Sequence, residues 1–279
     1  MLLKNILLLT LMAFIVSPSF ATETPNNIAG QIIEYQDGDT ILEGYFVPSR
    51  CGNLKESYPT IMVIHQWKGL TDNEKMRAEM LSRQCYNAFA IDMYGKDIRP
   101  KTMEQASAES AKYKNNATLA LRRMHAALEY LHTKPNVDQN NIAAIGYCFG
   151  GGMVLELARS GADVKAVTSF HGALSTALKS YNPKDVKAKI SVQHGADDPY
   201  ISTEELAGFK SEMAKNNIDY DFVSYPNAVH AFTQIESGTD NSKGAAYNLN
   251  ADRQSWANTL LFLERELSSP YETKTEKQN

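Results

Sequence analysis

Residues 142–152 read IAAIGYCFGGG, and this stretch decides the fold. It begins as the apolar run of a buried strand, and its glycine-rich end opens a predicted helix. The order strand, G-x-C-x-G, helix is that of a nucleophile elbow, a turn so tight that it needs glycine on both sides of the residue at its tip. Cys148 stands at that tip, so we predict that Cys148 is a nucleophile. The alternative is a glycine-rich turn around a buried, inert cysteine.

Strands and helices alternate on both sides of this stretch. Residues 28–35 and 41–47 flank an Asp-Gly-Asp turn at 37–39, which predicts an antiparallel pair. The further predicted strands are residues 60–65, 88–93, 141–146, 164–170, 190–194 and 220–225, and the predicted helices are residues 72–85, 103–132, 149–160, 203–216 and 245–267. This order predicts an α/β fold, with a mainly parallel twisted sheet and helices on both faces.

A nucleophile elbow needs an acid and a histidine further along the chain, in that order. Residues 194–201 read HGADDPYI directly after a predicted strand, where a carboxylate reaches the active edge of a parallel sheet. The pattern H-G-x-x-D selects Asp198, and the neighbouring Asp197 is the alternative. His230 lies in the loop after the last predicted strand. The predicted catalytic residues are therefore Cys148, Asp198 and His230.

The loop at residues 65–70, HQWKGL, completes the predicted site. We expect the backbone N–H groups of Phe149 and Trp67 to form the oxyanion hole. Gln66, Trp67 and Tyr94 are predicted to line the substrate pocket, although the Trp67 ring is equally consistent with a core role. His171 ends the strand after the elbow helix, and its role is open between lining the site and packing.

The N-terminus and the cysteines indicate export. Lys4, the apolar run at residues 6–16 and the small residues before position 22 predict a signal peptide at residues 1–21, and a membrane anchor is the alternative. The protein would then be secreted, into the periplasm if the source is Gram-negative. Three cysteines in an oxidising compartment leave at least one unpaired, and we expect a disulfide between Cys51 and Cys85 with Cys148 free. The alternative is three buried thiols.

The remaining composition excludes several classes of partner. The net charge is −4 and the basic residues form no stripe, so a nucleic-acid partner is not expected. No second apolar run is long enough to span a membrane, and the histidines form no metal-ligand pattern. We predict one domain at residues 22–268, followed by a polar tail at 269–279. The oligomeric state stays open.

The motifs together resemble those of the dienelactone hydrolase family. The resemblance rests on HQWKGL at 65–70, AIDMYGK at 90–96, GYCFGGG at 146–152, HGADDP at 194–199 and AVHAF at 228–232. It implies an α/β-hydrolase fold and hydrolysis of a small-molecule ester or lactone through a Cys–His–Asp triad and a thioester intermediate, with no cofactor or metal. The alternatives are a thioesterase or acyltransferase on the same triad, and a non-catalytic ligand-binding member of the fold.

Two positions depart from the family pattern. Family members often carry Glu where this chain has Gln66, and the authentic dienelactone enzymes carry a substrate-binding Arg where it has Gln234. Glutamine cannot accept the thiol proton, so the resemblance leaves thiol activation to His230. The missing arginine argues against a small anionic dienelactone as the substrate.

Overall fold

The centre of the structure is an eight-stranded sheet, seen in a computed structural model that describes residues 30–52 and 56–267. The predicted signal peptide at 1–21 and the predicted tail at 269–279 lie outside the described residues. Within the described ranges, none of the helices has the length and apolar character needed to cross a bilayer.

The sheet has the order β1-β2-β4-β3-β5-β6-β7-β8. Only the β1–β2 and β2–β4 pairs are antiparallel, which confirms the predicted mainly parallel sheet. The strands are β1 Gln31–Asp37, β2 Thr40–Val47, β3 Tyr58–Ile64, β4 Asn87–Ile91, β5 Val137–Tyr147, β6 Ala166–Phe170, β7 Lys189–Gly195 and β8 Tyr220–Tyr225.

Helices cover both faces of this sheet. They are α1 Asp72–Ser82, α2 Met103–Lys114, α3 Ala117–His132, α4 Phe149–Arg159, α5 Thr203–Asn216 and α6 Leu249–Glu266. Every residue of β3 is buried. Because side chains alternate along a strand, Ile61 and Val63 enter one apolar core while Met62 and Ile64 enter the other. The central strands thus have no solvent face, and functional side chains stand at their ends.

Two predicted helices differ most from those of the structure. The region predicted as one helix at 103–132 is divided between α2 and α3, because the side chain of Asn116 caps α3 by accepting from the Leu119 N–H. The helix predicted at 245–267 begins at Leu249, capped by the side chain of Asn248. The residues before that cap pair instead with the segment around His230.

A disulfide joins Cys51, in the loop after β2, to Cys85, which follows α1. The two Cα atoms are 5.0 Å apart and the cysteines are separated by 34 positions in sequence. The closed loop contains β3 and α1, and the bond ties the loop before β3 to the turn that follows α1. Cys148 is the free cysteine.

We expect the Cys51→Ser/Cys85→Ser double variant to melt on the order of 10 °C lower than the wild type and to keep its kcat. Without the bond the unfolded chain gains conformational entropy, which lowers the free energy of unfolding by about 3–4 kcal/mol for a loop of this length. The value of kcat should not change, because the bond lies outside the proposed active site. Thermal unfolding with and without reductant is the measurement. Reductant should lower the melting temperature of the wild type but leave that of the double variant unchanged, and an unchanged wild-type value would contradict this role.

Candidate active site

Cys148 occupies the turn between β5 and α4. Its backbone has φ +53° and ψ −109°, a strained conformation for a residue with a side chain. A side chain at Gly146 would overlap the backbone of Gly150, and one at Gly150 would overlap the carbonyl of Ile64 in β3. The glycines of G-x-C-x-G therefore allow the close approach of strand and helix that leaves the Cys148 side chain partly exposed.

Three of the residues predicted from sequence form one line of contacts. The Sγ of Cys148 lies 3.0 Å from Nε2 of His230, and Nδ1 of the same imidazole lies 2.9 Å from Oδ2 of Asp198. These residues follow β5, β8 and β7, whose carboxyl ends meet at one edge of the parallel sheet. The Asp198 side chain is fully buried.

The structure distinguishes the two neighbouring aspartates. The second oxygen of the Asp198 carboxylate, Oδ1, accepts the Tyr200 N–H at 2.9 Å, so both carboxylate oxygens have donors. Asp197 is exposed, and its backbone N–H donates to the carbonyl of Ala228. Asp198 therefore contacts His230, and Asp197 belongs to the turn.

The segment around Ala245, where the predicted helix 245–267 was expected to begin, holds the backbone of His230. The His230 N–H donates to the Gly244 carbonyl at 3.2 Å, and the His230 carbonyl accepts the Ala246 N–H at 3.0 Å. The imidazole has Tyr200 and His171 as edge-on neighbours, each with a ring-centroid distance of 5.2 Å. The loop carrying His230 is thus fixed by backbone pairing as well as by Asp198.

The charges of Cys148 and His230 stabilise each other. Burial raises the pKa of the Cys148 thiol, but the charge of His230 and its hydrogen bond to the thiol lower it by more. Lys114 and the Phe149 N–H lower this pKa further, so the net pKa of Cys148 lies below its ordinary value. Burial lowers the pKa of His230, but the Cys148 thiolate and Asp198 outweigh it and raise that pKa to about 10. The arrangement therefore stabilises a thiolate–imidazolium pair over the neutral thiol and imidazole.

The loop that carries Trp67 is fixed by its carbonyl groups. The buried His65 accepts the Met93 N–H at Nε2, so its Nδ1 carries the proton and donates to the Gln66 carbonyl at 2.6 Å. In a trans peptide the N–H points opposite to the carbonyl, so this bond directs the Trp67 N–H away from His65. Within the described part of the chain that N–H has no acceptor.

The residues predicted to line the pocket lie around this loop. Tyr94 is almost fully buried, and its hydroxyl donates to the Trp67 carbonyl at 2.9 Å, so it supports the loop from inside the protein. The half-buried Trp67 ring packs against the core. Gln66 donates from Nε2 to the side-chain oxygen of Gln234, and Nε2 of Gln234 donates to Oε2 of Glu236 at 2.7 Å.

Two contacts at the site go beyond the predictions from sequence. The amides of Gln66 and Gln234 meet although they are 168 positions apart. His171, whose role the sequence left open, lies against the backbone of Cys148. A signal for His171 existed, because it ends the strand beside the elbow strand.

No cluster of three His, Cys, Asp or Glu side chains that could hold a metal is found among residues 30–52 and 56–267.

Comparisons with known proteins point to one family. The model of the dienelactone hydrolase family matches residues 47–267. The chain is 38% identical over 144 residues to an uncharacterized protein of Caenorhabditis elegans, covering 50% of this chain and 90% of that protein. It is 28% identical over 225 residues to a Methylorubrum extorquens protein named "Putative carboxymethylenebutenolidase", covering 77% of this chain and 75% of that protein. Among solved structures, a dienelactone hydrolase-like promiscuous phosphotriesterase from metagenomic libraries has a TM-score of 0.78 at 31% identity, covering 86% of this chain and 99% of the other.

Proposed function

Because the chain belongs to the dienelactone hydrolase family, we propose that it hydrolyses a carboxylic ester or lactone with Cys148 as nucleophile, His230 as acid and base, and Asp198 as the group that orients His230. One observation carries this proposal: the unbroken line of contacts from the Cys148 sulfur through the His230 imidazole to the Asp198 carboxylate. A hydrolysis screen of short esters, lactones and thioesters, with Cys148→Ala as the control, tests it. The thioesters in this screen also test the alternative thioesterase activity.

In the proposed mechanism the Cys148 thiolate attacks the substrate carbonyl carbon, and the carbonyl oxygen becomes an oxyanion. The oxyanion collapses to a thioester as the C–O bond of the ester breaks, and the His230 imidazolium gives its proton to the leaving alkoxide. Neutral His230 then takes a proton from water, and the resulting hydroxide attacks the thioester. Collapse of this second intermediate releases the carboxylic acid and returns the thiolate–imidazolium pair.

We propose the backbone N–H groups of Trp67 and Phe149 as donors to the oxyanion. The Cys148 N–H is already engaged, since it donates to the Phe170 carbonyl at 2.9 Å and to His171 at 3.1 Å. Phe149 supplies the next N–H of the elbow, at the positive end of α4. The Trp67 N–H is directed by the bond between His65 and the Gln66 carbonyl.

We propose that the substrate is uncharged near Gln66 and Gln234. These side chains form a neutral amide pair where the family pattern provides a carboxylate and an arginine. Compared with an enzyme that carries the arginine, this chain offers an anionic substrate fewer charge-assisted hydrogen bonds here. A neutral ester makes no such bonds, so the change does not weaken its binding.

We expect a neutral ester to be hydrolysed at least as well as an anionic lactone of similar size.

The double variant Gln234→Arg/Glu236→Gln should hydrolyse the anionic lactone with a kcat/KM about tenfold above that of the single Glu236→Gln control. The reason is that a hydrogen bond to a charged group is worth roughly 1.5–3 kcal/mol. Glu236 is removed in both variants because it would neutralise the new guanidinium. A wild-type preference for the anionic lactone that survives high salt would contradict the proposal.

A second candidate substrate is a neutral aryl phosphotriester. It is favoured by the 31% identity to the promiscuous phosphotriesterase over 86% of this chain. The neutral Gln66–Gln234 pair is compatible with such a triester. Release of the aryl alcohol by wild-type protein, abolished in Cys148→Ala, would support this activity, and no release above the uncatalysed rate would exclude it.

We also propose that the protein is exported with cleavage after Ala21. The disulfide between Cys51 and Cys85 supports this proposal, because such bonds persist mainly in oxidising compartments. N-terminal sequencing of the exported protein should begin at Thr22. Recovery of the chain with Met1 intact in a membrane fraction would instead indicate an anchor.

A further inference from the structure

His171 is the first residue after β6 and is 1% exposed. Its backbone has φ +39°, which is unusual for a residue other than glycine. The His171 N–H donates to the carbonyl of Gln193 in β7 at 2.9 Å, which extends the sheet ladder by one residue. The backbone therefore fixes where the His171 imidazole can lie.

The two ring nitrogens of His171 have different partners. Nδ1 lies 3.1 Å from the backbone nitrogen of Cys148, and because that group is an N–H donor, Nδ1 is the unprotonated nitrogen. The ring proton is then on Nε2, which donates to Oγ1 of Thr233 at 2.8 Å. Thr233 lies in the loop that carries His230, so one imidazole joins the nucleophile turn to the base loop.

Thr233 is itself held from a second direction. Its carbonyl accepts from Nη2 of the buried Arg77 at 3.3 Å, and the same nitrogen lies 2.5 Å from Oδ1 of Asp252 in α6. His171 thus bonds to a threonine that helix α6 already anchors through Arg77. A shift of the imidazole would have to move either the Cys148 backbone or this anchored loop.

The groups that face His171 require it to be neutral. Its ring is 5.2 Å from that of His230 and 6.2 Å from that of Tyr147, and Arg77 and Cys148 are the other titratable groups nearby. Burial, followed by the positive charge of His230 and a smaller effect of Arg77, holds the pKa of His171 well below its usual value. His171 stays neutral while His230 is cationic, and Nδ1 keeps its lone pair for the Cys148 N–H.

We infer that His171 is a positioning residue, which sets the Cys148 thiol against the His230 imidazole by bonding to the nucleophile backbone and to Thr233. This inference rests on the proposed function only for naming Cys148 and His230 as the reacting groups. If the two bonds are lost, the Sγ–Nε2 contact loosens and the imidazolium stabilises the thiolate less. The effect is therefore measurable on the thiol itself, without any substrate.

The experiment compares variants that remove one or both bonds. His171→Asn keeps an acceptor at the position of Nδ1 and tolerates positive φ, whereas His171→Phe keeps a ring but has no acceptor or donor. Thr233→Val removes the hydroxyl at nearly constant shape, and Thr233→Ser is its matched control. For each variant, the rate of Cys148 alkylation by iodoacetamide is measured against pH, together with kcat, KM and the melting temperature.

In His171→Phe the alkylation midpoint should move to higher pH and kcat should fall by about 10- to 100-fold with a smaller change in KM, since small misplacements of reacting groups have effects of this size. His171→Asn keeps the acceptor for the Cys148 N–H but loses the donor to Thr233, so it should lower kcat and move the midpoint less than His171→Phe does. Thr233→Val should move the midpoint in the same direction as His171→Phe, and Thr233→Ser should not.

A folded His171→Phe variant with the wild-type alkylation profile and kcat would show that His171 only fills space. If that variant does not fold, the comparison of Thr233→Val with Thr233→Ser decides, and identical alkylation midpoints would overturn the inference. Failure of the proposed function is distinguishable. In that case the alkylation profiles separate as expected while no ester is turned over.

Discussion

Replacing Cys148 or His230 with alanine is expected to lower kcat on a short aryl ester by on the order of 10³-fold or more. The thiol and the imidazole are 3.0 Å apart and share one proton, so either group is ineffective without the other. For the same reason the double alanine variant should be little worse than either single variant. Steady-state hydrolysis is the measurement, with His125→Ala, an exposed histidine of α3, as the matched control.

The pKa shifts of Cys148 and His230 predict the pH range in which the protein is active. The thiolate–imidazolium pair exists above the lowered pKa of Cys148 and is lost as pH rises through about 10, the pKa of His230. In His230→Ala, burial remains but the neighbouring cation is gone, so the pKa of Cys148 should rise and alkylation at neutral pH should slow. Wild-type turnover in either alanine variant would remove Cys148 and His230 from the proposed mechanism.

Asp198→Asn is expected to reduce kcat by about 10²-fold or more, while Asp197→Asn should stay within about threefold of the wild type. The Asp198 carboxylate is fully buried 2.9 Å from Nδ1 of His230, where it fixes the ring orientation and favours the imidazolium. An amide at this position can present a donor to Nδ1 and select the wrong tautomer. Asp197 is exposed and has no contact with the imidazole.

The two aspartate variants form a matched pair, because each replaces one carboxylate by an amide of the same shape in the same turn. Asp198→Asn should also move the alkaline limb of the rate profile to lower pH, since Asp198 contributes to the raised pKa of His230. The reverse ranking of the two variants would transfer the orienting role to Asp197.

The residues of the proposed triad were predictable because local sequence and simple topology place them. The elbow depends on glycines within a few residues of Cys148, where side chains would overlap neighbouring backbone. Asp198 and His230 each follow a parallel strand, and such strands end at a common edge. Sequence alone therefore predicted both the fold class and the set of residues that the structure brings together.

Contacts between loops were not predictable in this way. The Gln66–Gln234 and His171–Thr233 bonds join segments far apart in sequence, and no periodicity or spacing encodes which loop side chains will meet. The apolar pattern does not encode the break between α2 and α3, because the apolar period continues across it. The break depends on Asn116, whose side chain caps the start of α3. Long-range polar contacts and caps decide these details.

The most direct test of the central claim is mass spectrometry of protein quenched in acid during turnover of a short acyl ester. The proposed mechanism predicts an acyl group on the peptide containing Cys148, formed within the first turnover and lost as substrate is consumed. The adduct should be absent in Cys148→Ala. Sustained hydrolysis without any acyl group on Cys148, or with the acyl group on another residue, would contradict the assignment of Cys148 as the nucleophile.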